Sequence, residues 1–307
     1  MQKEFIYTVK SNLIKRGIEK KNNEDSSLKT CLVVQGGGMR ASYSMGCLQA
    51  LEELGFSNSF DYIIGSSAGA INGAYFLTKQ SKVATKVYSD YITNNRFINF
   101  FRLRKILDVN YLVEILSKGE TALNIEEIKN SSTDLMFAMV HYPSAEKRIF
   151  SIKDKPSEIM NLIKASATIP ALSNEKIIID GEKYIDGAVV DSIPLMRAIE
   201  LGCTDIVVVL TRSRSFRRRP LRFVYNFLSF TYFRDWPKKS KDSLFDRFSE
   251  INNLYDFIYT HEGSNGNYRI LVVAPKEDSL AGVLSKNRGK ILQNIHSGYE
   301  DVMAIFR

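Results

Sequence analysis

Apolar residues recur along this chain in two rhythms. Short apolar-rich runs stand at 30–34, 62–64, 134–140, 148–152, 206–210 and 268–274. Each is too short for a buried helix and is bounded by turn-forming or polar residues, so each predicts a strand. A further run at 177–179 reaches 184 around Asp180-Gly181, a favoured turn pair, and predicts a hairpin. Between the strands the spacing changes. Met45, Leu48, Leu51 and Leu54 fall at helical intervals, and Gly55 follows as a stop. Similar patterns cover 68–77, 83–94, 109–118, 156–164, a short stretch from 195, then 244–259 and 286–306. Strands alternating with helices predict an α/β domain with a mainly parallel central sheet flanked by helices. Its expected limits are 29–211, preceded by a basic helix and polar linker over 1–28 and followed by a C-terminal region, 212–307.

Composition changes this picture in one place. A chain of 307 residues with 44% hydrophobic content suits one large globular domain or one with an elaborated end. The three cysteines, Cys31, Cys47 and Cys203, have neither metal-ligand nor disulfide-framework spacing, which points to a reducing compartment. The N-terminal stretch mixes Lys, Glu and Arg among its apolar positions, and no run approaches the ~18 apolar residues of a transmembrane helix. The expectation is a cytoplasmic protein, soluble or peripheral at the inner face of the membrane. The net charge of +8 is concentrated: 212–241 carries ten Lys and Arg against Asp235 alone, and the rest of the chain is close to neutral. That segment is also rich in Phe, Tyr and Trp.

The candidate chemistry lies at two strand ends. The strand over 30–34 runs into Gln35-Gly36-Gly37-Gly38-Met39-Arg40 and then a helix. Glycines between strand and helix expose backbone N–H groups at the helix N-terminus, a ready anion site. A nucleotide phosphate would call for G-x-G-x-x-G or G-x-x-x-x-G-K-[ST], and neither is present. A transient oxyanion needs only two N–H groups near a nucleophile. The strand over 62–64 ends in Gly65-Ser66-Ser67-Ala68-Gly69, followed by a small-residue helix. This is the strand–turn–helix setting of a nucleophile elbow, with Ser67 at the tip and Gly65 and Gly69 where the backbones crowd. Ligand sites in open α/β sheets lie at such carboxyl ends.

A serine nucleophile needs a base, and the three histidines are poorly placed: His141 precedes a proline turn, His261 lies in a polar loop and His296 in the last helix. Asp186, followed by Gly187 after a short apolar strand, sits at a loop tip.

With these residues in view, the chain resembles the patatin-like phospholipases, in their bacterial branch. Gly36-Gly37-Gly38-Met39-Arg40 is similar to the family's oxyanion loop, Gly65 to Gly69 to its elbow, 165–170 to its small-residue block ending in proline, and Asp186-Gly187-Ala188 to its Asp-Gly-Gly/Ala motif. All four occur in family order. Ala41 replaces a usual glycine and Thr168 a usual alanine. The resemblance implies a Ser–Asp dyad, with Ser67 as nucleophile and Asp186 as base, without metal or cofactor. A free Asp, with a pKa near 3.9, is a weak base, so burial would improve it and the oxyanion loop would carry more of the barrier. Two roles are open to Arg40: positive charge beside the anion, or anchoring the loop.

The resemblance further implies acyl-ester hydrolysis on phospholipids or lysophospholipids. The basic, aromatic segment adds an expected partner, an anionic membrane surface, with Arg217, Arg218, Arg219 and Trp236 as anchor or lid. Nucleic acid, the other polyanion, is disfavoured because no nucleic-acid fold signature accompanies the patch. Oligomeric state has no signature. Two alternatives stand beside the phospholipase: a soluble esterase or thioesterase using the same dyad on small acyl groups, and a non-enzymatic lipid-binding relative.

Overall fold

The computed structural model describes the chain apart from residues 1, 103–104, 171, 174, 188–192, 219–221, 235 and 265. Five parallel strands form its centre: β1 (Thr30–Val34), β2 (Tyr62–Ser66), β3 (Asp134–Tyr142), β7 (Asp205–Val209) and β9 (Arg269–Val273). The remaining strands, β4 (Lys147–Ser151), β5 (Ile177–Ile179), β6 (Glu182–Asp186) and the two-residue β8 (Gly263–Ser264), pair antiparallel at the margins, β5 and β6 as the expected hairpin. The spatial order is β5-β6-β3-β2-β1-β7-β9-β8, with β4 also on β3. The order therefore runs outward from β1 to β2 and β3 on one side and to β7 and β9 on the other. The gap between β1 and β7 is the switch point at which doubly wound sheets open a crevice.

Both faces of the central strands are buried, which is why their sequences read as continuous apolar runs rather than alternations. Leu32, Val34 and Ile63 face one layer of helices, which includes α2 (Ser42–Glu53), α3 (Ala68–Leu77), α7 (Ile159–Ser166) and α11 (Arg288–Phe306). Cys31, Val33 and Ile64 face the other, with α8 (Leu195–Glu200) and α10 (Lys238–Thr260). The sandwich continues past residue 211, because β9, α10 and α11 are parts of its sheet and its two helical layers. No helix among the described residues is long and apolar enough to cross a membrane.

The N-terminal helix α1 (Gln2–Asn22) is bound to the amino ends of the strands. Val9 and Leu13 are buried, Arg16 grips the Asp61 carboxylate through Nε and Nη2 at 3.1 and 2.7 Å, and Lys20 donates to Phe60 O and Thr133 Oγ1. The carboxyl ends lie opposite, free of this helix.

Four elements depart from the expected pattern. The helix expected over 83–94 is α4 (Ser81–Lys86) followed by one wide turn, Val87–Tyr91. A six-residue helix, α6 (Ile125–Asn130), capped by the Asn124 side chain, had no periodic signal. The basic segment contains α9 (Arg222–Thr231), and α10 begins six residues before the apolar spacing would start it.

Candidate active site

Ser67 stands between β2 and α3 with φ 55° and ψ −136°, a left-handed backbone that a non-glycine residue adopts at a cost. The chain must turn sharply there because α3 begins at once: Ala70 N–H donates to Ser67 O at 3.0 Å. The turn fits because its neighbours are small. A methyl group on Gly69 would lie 2.4 Å from Val34 O, so only glycine lets α3 start against the end of β1.

The glycine loop leaves β1 beside this turn. Gly36 packs directly on the elbow, where an added Cβ would sit 2.5 Å from Ser66 O and 2.8 Å from Ser67 Cβ. Among the described residues, no acceptor takes the N–H groups of Gly37 or Gly38. Met39 differs: its N–H donates to Val283 O at 3.0 Å, so the loop residue expected to help hold an oxyanion has its donor engaged. Arg40 N–H donates to Gly37 O at 3.2 Å, and its Nε donates to Thr211 Oγ1 at 3.2 Å. Thr211 Oγ1 donates in turn to Gly36 O at 3.0 Å. The Arg40 side chain thus folds under the loop as an anchor, and its positive charge remains within the site. Burial, and then the charge of Arg212, lower its pKa to about 10.

Asp186 ends β6, opposite Met139 of β3, and is completely buried. The small-residue block at the end of α7 ties it to the serine. Ser166 Oγ donates to Ser67 O at 3.3 Å, and Asp186 N–H donates to Thr168 O at 3.0 Å. That block runs between nucleophile turn and carboxylate strand, which explains its small side chains. Gly187 follows at a similar close approach, with Ala138 O 2.2 Å from where a Cβ would be. Ala188 lies outside the described residues.

Ser67, Asp186 and the glycine loop line one cleft of about 1030 Å³ including its open mouth. Ser67 also borders a second, mostly apolar cavity of about 600 Å³, again counting its mouth, reached past Gly38 and lined by Ile71, Ala84, Tyr88 and Leu112 among others. None of the three histidines lines either space. His141 bonds Ser144 and Glu182, His261 bonds Phe257 O, and His296 is exposed on α11.

The residues expected to bind a membrane are not gathered on one surface. Trp236 is buried, 3% exposed, against Phe233 and Tyr142 with ring centroids 4.4 and 5.3 Å away, so it does not form an exposed anchor. Arg217 is held by Asp256 at 2.7 Å, Arg218 lines the cleft, and Arg219 lies outside the described residues. Among the described residues, the large exposed aromatics of this segment are Phe227 and Phe230 on α9.

Four site residues were missed in the sequence. Gln35, at the end of β1, accepts from Thr211 N–H at 2.7 Å through Oε1 and donates to Tyr255 Oη at 2.6 Å through Nε2. Its place before the glycines was a signal. Thr211, two residues after β7, and Tyr255, on the apolar face of α10, carried weaker ones. Val283 holds the loop by a backbone carbonyl, which no side-chain pattern announces.

The fold is a mainly parallel α/β sandwich whose neighbouring strand ends bear a glycine loop and a serine turn. Residues 32–199, more than half the chain, match the family model for patatin-like phospholipase, and the chain belongs to that family. It is 29% identical over 191 residues to the uncharacterized protein YjjU of Escherichia coli (strain K12), covering 60% of this chain and 52% of that protein. It is 25% identical over 196 residues to patatin-like phospholipase domain-containing protein 7 of Mus musculus, covering 60% of this chain but 14% of the relative. The matches therefore span about half, or much less, of these relatives' lengths. Among solved structures it is similar to VipD from Legionella pneumophila (TM-score 0.49, 13% identity, 92% of this chain and 67% of that one). It is also similar to human GIVD cytosolic phospholipase A2 (TM-score 0.44, 10% identity, 99% and 63%).

Proposed function

We propose that this protein is a lipid acyl hydrolase that cleaves acyl esters of phospholipids or lysophospholipids through an acyl-enzyme at Ser67. Asp186 takes the serine proton as Oγ attacks the ester carbonyl, then returns it to the departing alcohol. A water activated in the same way releases the fatty acid and restores the serine. The N–H groups of Gly37 and Gly38 hold the oxyanion, Arg40 keeps their loop in place, and the apolar cavity receives the acyl chain. The observation that carries this reading is the juxtaposition at Ser67: a serine in a strained strand–helix turn, between a cleft shared with a buried carboxylate and two unspent N–H donors and a cavity lined by apolar side chains. Family membership supports the same chemistry.

The test is fatty-acid release from a lysophospholipid by wild type, Ser67→Ala and Asp186→Asn. The reading expects loss of at least ~10³-fold in both variants. Release surviving in Ser67→Ala would place the nucleophile elsewhere.

A further inference from the structure

Beyond β7 the chain runs Thr211-Arg212-Ser213-Arg214-Ser215-Phe216-Arg217-Arg218, with four arginines. Arg214 donates two hydrogen bonds to the Glu262 carboxylate at 2.5 and 2.8 Å, and Arg217 pairs with Asp256. Arg212 and Arg218 line the Ser67–Asp186 cleft. Arg212 stacks on Phe216 at 4.3 Å, and its carboxylate contact, with Asp278, is long at 3.8 Å. Arg218 is fixed through its backbone by Asn252, which accepts from its N–H at 2.7 Å and donates to its carbonyl at 2.9 Å.

Tyr255 stands among these charges. Its hydroxyl accepts from Gln35 Nε2, and that direction is forced: Thr211 N–H can only donate, so the Gln35 atom facing it is the carbonyl oxygen, which turns the amide nitrogen toward Tyr255. The Tyr255 proton is therefore not used in that bond, and no acceptor for it exists among the described residues. Tyr255 is 1% exposed and lines the same cleft. A buried hydroxyl with an unspent proton beside two guanidinium groups is the donor set for a tetrahedral anion. Its place at the β1/β7 switch point is where an α/β sheet binds ligands.

We propose that Arg212, Arg218 and Tyr255 form a phosphate subsite of the cleft, which takes the phosphodiester of a glycerophospholipid headgroup while the scissile ester lies at Ser67. The assignment rests on the acyl-hydrolase reading and adds to it the residues that hold the headgroup phosphate. It also gives part of the basic segment a role inside the site rather than on a membrane surface. The electrostatics agree: the protein crowded around Arg218, and then the charge of Arg212, hold its pKa below the usual value despite a favourable effect of Tyr255, and a bound phosphate would relieve that repulsion.

The first test compares kcat/KM for a monomeric lysophospholipid with kcat/KM for a monoacylglycerol of the same chain. The ratio should fall about 10- to 100-fold in Arg212→Gln and in Arg218→Gln, and by a smaller factor in Tyr255→Phe, which keeps the ring packing. It should stay within about 2-fold in Arg214→Gln, which removes the same charge from the arginine bound to Glu262. An unchanged ratio in Arg212→Gln and Arg218→Gln, or an equal fall in Arg214→Gln, overturns the proposal. The second test needs no turnover and so stands even if Ser67 is not the nucleophile. Calorimetric binding of glycerol 3-phosphate should be lost in the Arg212 and Arg218 variants, and inorganic phosphate should bind more weakly. Equal binding of inorganic phosphate with an unmoved substrate ratio would identify a free-phosphate site and overturn the headgroup assignment.

Discussion

Replacing Gly36 by alanine tests the oxyanion loop without touching a reacting group. The added methyl would begin 2.5 Å from Ser66 O and 2.8 Å from Ser67 Cβ. Carbon–oxygen contact is comfortable near 3.4 Å and carbon–carbon contact near 3.6 Å, so loop and elbow must part by roughly 0.8 to 0.9 Å. Neither side yields cheaply. The elbow is held by Ala70 N–H and Ser166 Oγ on Ser67 O, and the loop by Thr211 on Gly36 O and Val283 O on Met39 N–H. Forcing them apart should cost about 1–3 kcal/mol of stability, the usual range for overpacking. The catalytic loss should be larger. A displaced oxyanion donor is worth about 10²–10³ in kcat. Hydrolysis of a soluble nitrophenyl ester, with urea unfolding on the same preparation, measures both. The expected result is a folded protein with kcat down about 100-fold and KM nearly unchanged. A folded Gly36→Ala protein within about 3-fold of wild-type kcat would refute an oxyanion site on this loop.

Thr211→Val removes the hydroxyl that joins Arg40 to Gly36 O, and should lower kcat several-fold while costing about 1 kcal/mol in urea unfolding. Ala84→Phe fills the apolar cavity at a buried position, so kcat/KM for long-chain esters should fall by more than about 10-fold while acetyl or butyryl esters are spared, read from a chain-length series. Trp236→Ala should destabilise the protein by about 3–5 kcal/mol in chemical denaturation, as a buried ring does, whereas a surface anchor would leave unfolding unchanged. Lys20 is desolvated beneath the sheet and its pKa is lowered to about 8. The unfolded chain binds the more protons between that value and the usual lysine range, so wild-type stability relative to Lys20→Gln should rise from pH 8 to pH 10, measured by urea unfolding at each pH.

Much of this site is legible in the sequence because it is built from local signals. The glycine loop and the Ser67 turn lie between a strand and a helix, and the backbone there is forced by steric crowding that only small residues tolerate. Asp186 is reached by motif and by exclusion of the histidines, of which His141 and His261 bond elsewhere and His296 is exposed. What escaped is tertiary. Trp236 reads as a surface anchor beside a run of arginines, but its ring partner Tyr142 comes from the end of β3. Arg212 and Arg218 read as one basic patch with Arg214 and Arg217, and only the folded chain places the first two at the cleft. The start of α10 is hidden because its first turn is lysine-rich and carries no apolar stripe. Val283 contributes a carbonyl, which has no residue-type signature.

The central claim is that Ser67 is the nucleophile and forms an acyl-enzyme. The most direct measurement is intact-protein and peptide mass spectrometry after rapid acid quench of wild type with an activated ester, alongside a fluorophosphonate probe. The account predicts one acyl or phosphonyl group per chain, mapped to Ser67, with none in Ser67→Ala and markedly slower formation in Asp186→Asn. A stoichiometric adduct on any other residue, or undiminished labelling of Ser67→Ala, would contradict it.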